Sequence, residues 1–170
     1  MNKKKLFILL TIFLSLWFTG IFPALAEEGH SMGDMGHSMN KGGHKMDMKV
    51  LRIDEYIISY SFMTTAEHHK MMQDMKMDMS KMKMEPNATH HLALEISEEK
   101  GGEKIEDAKV KVKVIEPNDK AQEKLVEWGK EMNHYGCDLE MKEKGKYGVI
   151  VLFKTKDEKQ HLAKFWYEVK

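Results

Sequence analysis

The chain has 170 residues, with 27 Lys and Arg against 27 Asp and Glu. A net charge of zero excludes the broad basic surface that nucleic-acid binding needs. A single cysteine excludes an internal disulfide framework and any cysteine-only zinc site. Met is the outlier, with 16 residues accompanied by nine His, so neutral sulfur and nitrogen donors are the chemistry to look for.

The N-terminus reads as an address. Lys3, Lys4 and Lys5 precede an apolar run over residues 6–22, which Pro23 breaks before Ala24-Leu25-Ala26. A positive start, a short apolar stretch and a small-x-small end predict a secretory signal peptide over residues 1–26, cut after Ala26. No Cys lies near the cut, so no lipid anchor is expected. The mature chain is then secreted or periplasmic, with no membrane attachment of its own. It carries 24 basic against 27 acidic residues once the three signal lysines are gone.

Residues 27–49 contain no Val, Ile, Leu or aromatic and five Gly. Such a segment cannot bury enough apolar surface to offset its ordering entropy, so a disordered tail is expected. It is nevertheless repetitive. Gly29-His30-Ser31-Met32 recurs as Gly36-His37-Ser38-Met39 and again as Gly43-His44-Lys45-Met46, with Met35 and Met48 following Asp34 and Asp47. Imidazole and thioether are neutral donors near pH 7, and thioether is soft enough to select Cu(I), and by the same softness Ag(I), over Zn, Mg or Ca. The candidate ligands of the tail are His30, Met32, Met35, His37, Met39, His44, Met46 and Met48.

A second Met cluster spans residues 64–85. Thr64 followed by Glu67 predicts a capping box opening a helix. Met71, Met72, Met75, Met79 and Met82 then fall on one helical face, joined by His68. A helix that merely docked on a core would use Leu and Ile as well, and this segment has neither. His68, Met71, Met72, Met75, Met79 and Met82 are therefore candidate ligands, with plain packing of a Met stripe as the competing reading.

Residues 50–170 are enough for one core. Apolar residues alternate at Tyr56, Ile58, Tyr60 and Phe62, at Leu92, Leu94 and Ile96, and at Ala108, Val110, Val112 and Val114. Residues 119–130 read as a short helix burying Leu125 and Trp128. Cys137, Leu139 and Met141 alternate next, residues 147–153 are nearly all apolar, and Phe165-Trp166-Tyr167-Glu168-Val169 ends the last strand. Six or seven short strands separated by frequent turns predict a mainly β fold, an antiparallel immunoglobulin-like β-sandwich with a Met-rich helical insertion over residues 64–85.

His90 and His91 are adjacent on a strand and face opposite ways. His90 shares the parity of Leu92 and points inward at the strand's end, and is the candidate to complete the Met site. Met132 and His134 stand before a strand and are more available than Cys137 and Met141, which share the core face of Leu139. Met63 ends its strand where it can face the Met segment, and His161 reads as structural.

The G-H-S-M repeats separated by D-M resemble the Met/His-rich segments of bacterial periplasmic copper- and silver-resistance proteins, which implies soft-metal capture. In the body, Ile105-Glu106-Asp107-Ala108-Lys109-Val110, Lys144-Gly145-Lys146-Tyr147-Gly148-Val149 and the closing Phe165-Trp166-Tyr167-Glu168-Val169 resemble the small secreted YtkA-like immunoglobulin-like domains. That resemblance implies an extracytoplasmic binding or accessory module.

There is no H-E-x-x-H, G-x-S-x-G, C-x-x-C or glycine-rich phosphate loop, so no enzyme is expected. The expected function is capture of Cu(I) or Ag(I) for buffering, resistance or delivery to a membrane transporter or a metalloprotein acceptor. The alternative is a non-catalytic interaction module, accessory to a membrane complex, that docks through its Met-rich face.

Overall fold

The computed structural model describes residues 47–79 and 85–170. The expected signal peptide over residues 1–26 and residues 27–46 of the expected tail lie outside them. Nine strands and a helix follow in the order β1 (Lys49–Ile53), β2 (Tyr56–Thr64), α1 (Thr65–Asp74), β3 (His90–Glu98), β4 (Lys109–Ile115), β5 (Ala121–Val126), β6 (Trp128–Gly129), β7 (His134–Leu139), β8 (Gly145–Lys154) and β9 (Gln160–Val169). They form a five-stranded sheet, β1-β2-β3-β7-β6, and a four-stranded sheet, β5-β4-β8-β9, with every pairing antiparallel. The predicted β-sandwich is the observed fold.

The alternating residues read from the sequence supply the core. Ile58, Leu92, Leu94, Ile96 and Leu139 of one sheet pack with Val112, Val114, Val149, Val151 and Phe153 of the other, all essentially inaccessible to solvent. Cys137 and Met141 belong to this core, as their parity predicted. Burial pushes the Cys137 thiol up to about 12, which leaves it protonated and inert.

Residues 121–126 form a strand, not a helix. β5 pairs along the whole of β4, with Lys111 opposite Leu125 and Lys113 opposite Glu123. Glu123 pairs with both Lys111 and Lys113 across this ladder. The turn that reverses the chain is closed by a bond from Glu116 N–H to Lys120 C=O (2.7 Å) and places Asp119 at φ 66°. Leu125 consequently points to solvent, 83% exposed. Local helix propensity lost to an open strand edge that β4 presents next door.

The Met-rich helix is shorter than its Met pattern. It opens as predicted: the Glu67 N–H donates to Thr64 Oγ1 (3.2 Å) and the Thr64 N–H donates to Glu67 Oε2 (2.7 Å). It stops at Asp74. Met75 is the C-cap, Lys76 takes a left-handed conformation at φ 56°, and N–H groups of Lys76 and Met77 close back on the carbonyls of Gln73 and Met72. This is a Schellman termination, which satisfies the last helical carbonyls and turns the chain away. Met79 is beyond the helix end and Met82 lies outside the described residues, so one continuous Met face over residues 71–82 does not exist.

Candidate metal centre

β2 runs directly into α1, which folds back over the outer face of the five-stranded sheet. The Thr65 N–H donates to Thr89 C=O (2.9 Å) and the Thr65 hydroxyl to Ala88 C=O (3.0 Å), which ties the helix start to the entry of β3. The side chains that α1 buries are His68, Met71 and Met72. Below them, strand alternation sets two rows across the sheet. Met63, His91 and Asp138 are successive cross-strand partners on β2, β3 and β7. Ser61, Ala93 and Gly136 are the next row.

Donor atoms converge on this face. The His68 and His91 rings stack with centroids 3.6 Å apart, and the His91 and His134 rings meet edge-on at 5.8 Å. One donor atom each from His68, His91 and Asp138 lie within 4.8 Å of one another. His91 Nδ1 is 2.8 Å from Asp138 Oδ1. A carboxylate only accepts, so Nδ1 carries the proton and Nε2 presents its lone pair. His134 Nδ1 donates to the Met132 carbonyl (3.0 Å), which leaves His134 Nε2 in the same state. The backbone N–H of Glu85 holds the other carboxylate oxygen of Asp138 at 3.3 Å.

Those two free nitrogens face one spot. A Cβ placed on Gly136 would sit 2.8 Å from His91 Nε2 and 3.2 Å from His134 Nε2. Both rings therefore pack directly onto this strand position, which only a residue without a side chain allows. His68 Nε2 and His91 Nε2 are buried with no hydrogen-bond partner. Buried polar atoms in a folded protein are ordinarily satisfied, so orphaned lone pairs beside an open space are the arrangement of a ligand site. The space is part of a cavity of about 380 Å³, lined by these imidazoles with Met72, Met132 and Cys137, and rimmed by Glu85, Lys124, Leu125 and Glu127.

The electrostatics keep His68 and His134 neutral. Burial, reinforced by the neighbouring His91, lowers the His68 pKa to about 3. Burial and His91 likewise lower His134 to about 4. Burial alone would raise Asp138, but the His91 hydrogen bond and the Glu85 N–H outweigh it and hold the carboxyl below its usual value. At neutral pH His68 and His134 therefore offer neutral nitrogens beside the Asp138 carboxylate.

This has a measurable consequence. On unfolding, His68 and His134 return to titrating near 6.5. Between that value and the folded values the unfolded chain binds more protons, so stability is complete above 6.5 and falls with acidity. The metal-free protein should lose on the order of 3 kcal/mol between about pH 7 and pH 4, solvent screening included. Urea midpoints across that range measure it, and His134→Gln should flatten the slope. A slope unchanged by that substitution contradicts the assignment.

The candidate ligands read from the sequence are distributed unevenly. His68, Met71 and Met72 are gathered here. Met75 is 47% exposed at the helix end, and Met48 stands just before β1. His30, Met32, Met35, His37, Met39, His44, Met46 and Met82 lie outside the described residues. His90 is buried on the opposite face of β3, edge-on to Tyr167, with Nδ1 2.9 Å from Thr89 Oγ1. The imidazole brought to the cluster is His91. Asp138 and Gly136 were not among the candidates, and His134, read as available, is buried. Parity alone could have found them, since residues 134, 136 and 138 share the face opposite Tyr135, Cys137 and Leu139.

No protein-family model and no curated protein matches the sequence. Solved structures do share the fold. FetP of uropathogenic Escherichia coli, isolated after recombinant expression in the periplasm, superposes with a TM-score of 0.53 at 15% identity, over 71% of this chain and 92% of that one. A copper-bound variant of the same FetP gives 0.51 at 14% identity, over 71% and 93%. A DUF4426 family protein from Pseudomonas aeruginosa gives 0.52 at 12% identity, over 72% and 94%. At these identities the likeness is one of fold: each is a relative in architecture of the β-sandwich described above.

Proposed function

We propose that this protein is an extracytoplasmic copper-binding protein whose folded domain holds one ion above Gly136. His68, His91 and His134 supply imidazole nitrogens, Met72 or Met132 a thioether, and Asp138 orients His91 and balances charge. The observation that carries this reading is the close approach of two fixed nitrogens, His91 Nε2 and His134 Nε2, to one point over Gly136, beside a cavity that His68 also lines. Imidazole with thioether is a copper donor set, and the thioether favours Cu(I). The same softness extends the proposal to Ag(I). The copper-bound FetP variant of similar fold supports the choice of metal, and the predicted signal peptide and the YtkA-like resemblance support the compartment.

The H-x-M repeats of residues 29–46 act as the capture arm in this proposal, and the body site holds the ion for buffering, resistance or delivery to a transporter or metalloprotein acceptor. The role is binding, not catalysis. The alternative of a Met-rich docking surface is disfavoured because Met71 and Met72 are turned onto the protein's own sheet, 8% and 1% exposed.

Paramagnetic Cu(II) added in small amounts to the full chain tests the placement. Amide signals of Ala93, His134 and Gly136 should broaden early in the titration. If only signals from the first residues after the signal peptide broaden and the body spectrum is untouched, the folded domain holds no copper site.

A further inference from the structure

Beside the imidazole cluster lies a second group of side chains, of which the proposed copper site draws at most on Met132. Met63 of β2, Met71 of α1 and Met132 of the β6–β7 turn pack together over Ala93, forming a cluster separate from the main core. Met63, Met71 and Ala93 are each at least nine-tenths buried. The cluster contains no Leu, Ile, Val or aromatic. A helix seated by packing alone draws on those residues, whereas this one is seated on sulfur. Its position is also specific. Ala93 is the direct cross-strand partner of Gly136, so the Met side chains that pack against Ala93 adjoin the strand position against which the imidazoles pack.

We propose that Met63, Met71 and Met132 form a second, thioether-only site for a univalent soft ion, Cu(I) or Ag(I), adjoining the imidazole site. Three neutral thioethers suit a d¹⁰ univalent ion and are poor partners for hard or divalent cations. They carry no proton, so the site has no acid to compete with inside the physiological range. The positive charge is not isolated: Asp138, held ionised, stands in the same cross-strand row as Met63 with His91 between them. Met132 lines the imidazole cavity as well as the thioether cluster, so a sulfur is shared at the boundary and an ion can pass between the two donor sets without leaving the protein. The two sites divide by donor, nitrogen-rich over Gly136 and sulfur-only over Ala93. This second site does not depend on the first being correct.

Carbon-13 labelling of Met methyl groups in the full-length protein, titrated with Ag(I), reads each thioether separately. Met63→Leu, Met71→Leu and Met132→Leu assign the three signals and keep the apolar volume. The expected result is that the three signals move together, and still do so in a His91→Ala, His134→Ala background. Removing two of the sulfurs, as Met63→Leu with Met71→Leu, should weaken Ag(I) uptake at the remaining Met132 on the order of 100-fold while the folded spectrum persists. The proposal is overturned if Ag(I) shifts other Met signals and leaves these three in place. It is equally overturned if the three move only when the imidazoles are intact, since one mixed site would then account for both clusters. A copper site that fails over Gly136 while these three signals still respond to Ag(I) separates the two claims.

Discussion

Replacing His91 and His134 together by alanine is expected to abolish the stabilisation of the folded domain by copper without unfolding it. The reasoning starts from linkage. A ligand that binds the folded state alone raises its stability by RT ln(1 + [L]/Kd), about 4 kcal/mol when free ligand is a thousandfold above Kd. Under the proposed function the His/Met repeats of residues 29–46 take up copper without needing the folded domain, so their contribution to a melting shift cancels. The shift reports only ions held by the fold. His91 and His134 supply the two nitrogens that meet over Gly136, and neither side chain is part of the main core. The double variant should therefore melt close to the wild-type metal-free temperature and show no rise with copper. Asp138→Asn is the graded companion. An amide can still meet His91 Nδ1, but only weakly and without charge, and loss of such an orienting partner lowers metal affinity about 10–100-fold. An unchanged copper shift in the double variant sinks the assignment of the site to these residues.

The fold was legible wherever one face of a strand is buried and the other solvated. β4 and β9 follow alternation of this kind and β2 does over most of its length, β3 alternates in residue type although α1 covers its outer face at His91 and Ala93, and the capping box placed the start of α1 to the residue. Two features were not legible, for different reasons. The strand at residues 121–126 exists because β4 offers it a partner, and its outward Leu125 carries no signal of that. The end of α1 depends on Lys76 adopting a left-handed backbone, for which Lys has no preference. The site shows the same division. His68, Met71 and Met72 could be found because a helix places its own residues i, i+3 and i+4 on one face. Parity also gave His91 its outward direction, but it did not say which of the two faces carries the site, and His90 was the candidate taken. The site lies on the outer face, beneath α1. Asp138 and Gly136 are far from His91 in sequence and join it through strand pairing, which one chain without its fold does not disclose.

Gly136 gives the sharper test, because the bland and the functional readings predict opposite signs. A glycine in a strand interior is a weak point: substitution by alanine at a compatible position stabilises by about 0.5–1 kcal/mol, chiefly by restricting the unfolded chain. That is the expectation if the space above Gly136 is idle and the rings are free to give way. They are not free. His91 is held at Nδ1 by Asp138 and stacked by His68, and His134 is held at Nδ1 by the Met132 carbonyl. A new Cβ at 2.8 Å from His91 Nε2 and 3.0 Å from its Cε1 must displace a ring that has partners on two sides. Overpacking of this kind costs about 1–3 kcal/mol, so Gly136→Ala should be net destabilising despite the backbone gain. It should also weaken copper binding at least on the order of tenfold, because the methyl displaces the His91 ring and crowds both nitrogens. The two effects share one origin, which a double-mutant cycle exposes. In a His91→Ala background the clash is gone, and Gly136→Ala should become neutral or stabilising. Should the single substitution stabilise the protein in the presence of all three imidazoles, the nitrogens do not converge there and the copper site over Gly136 has to be abandoned.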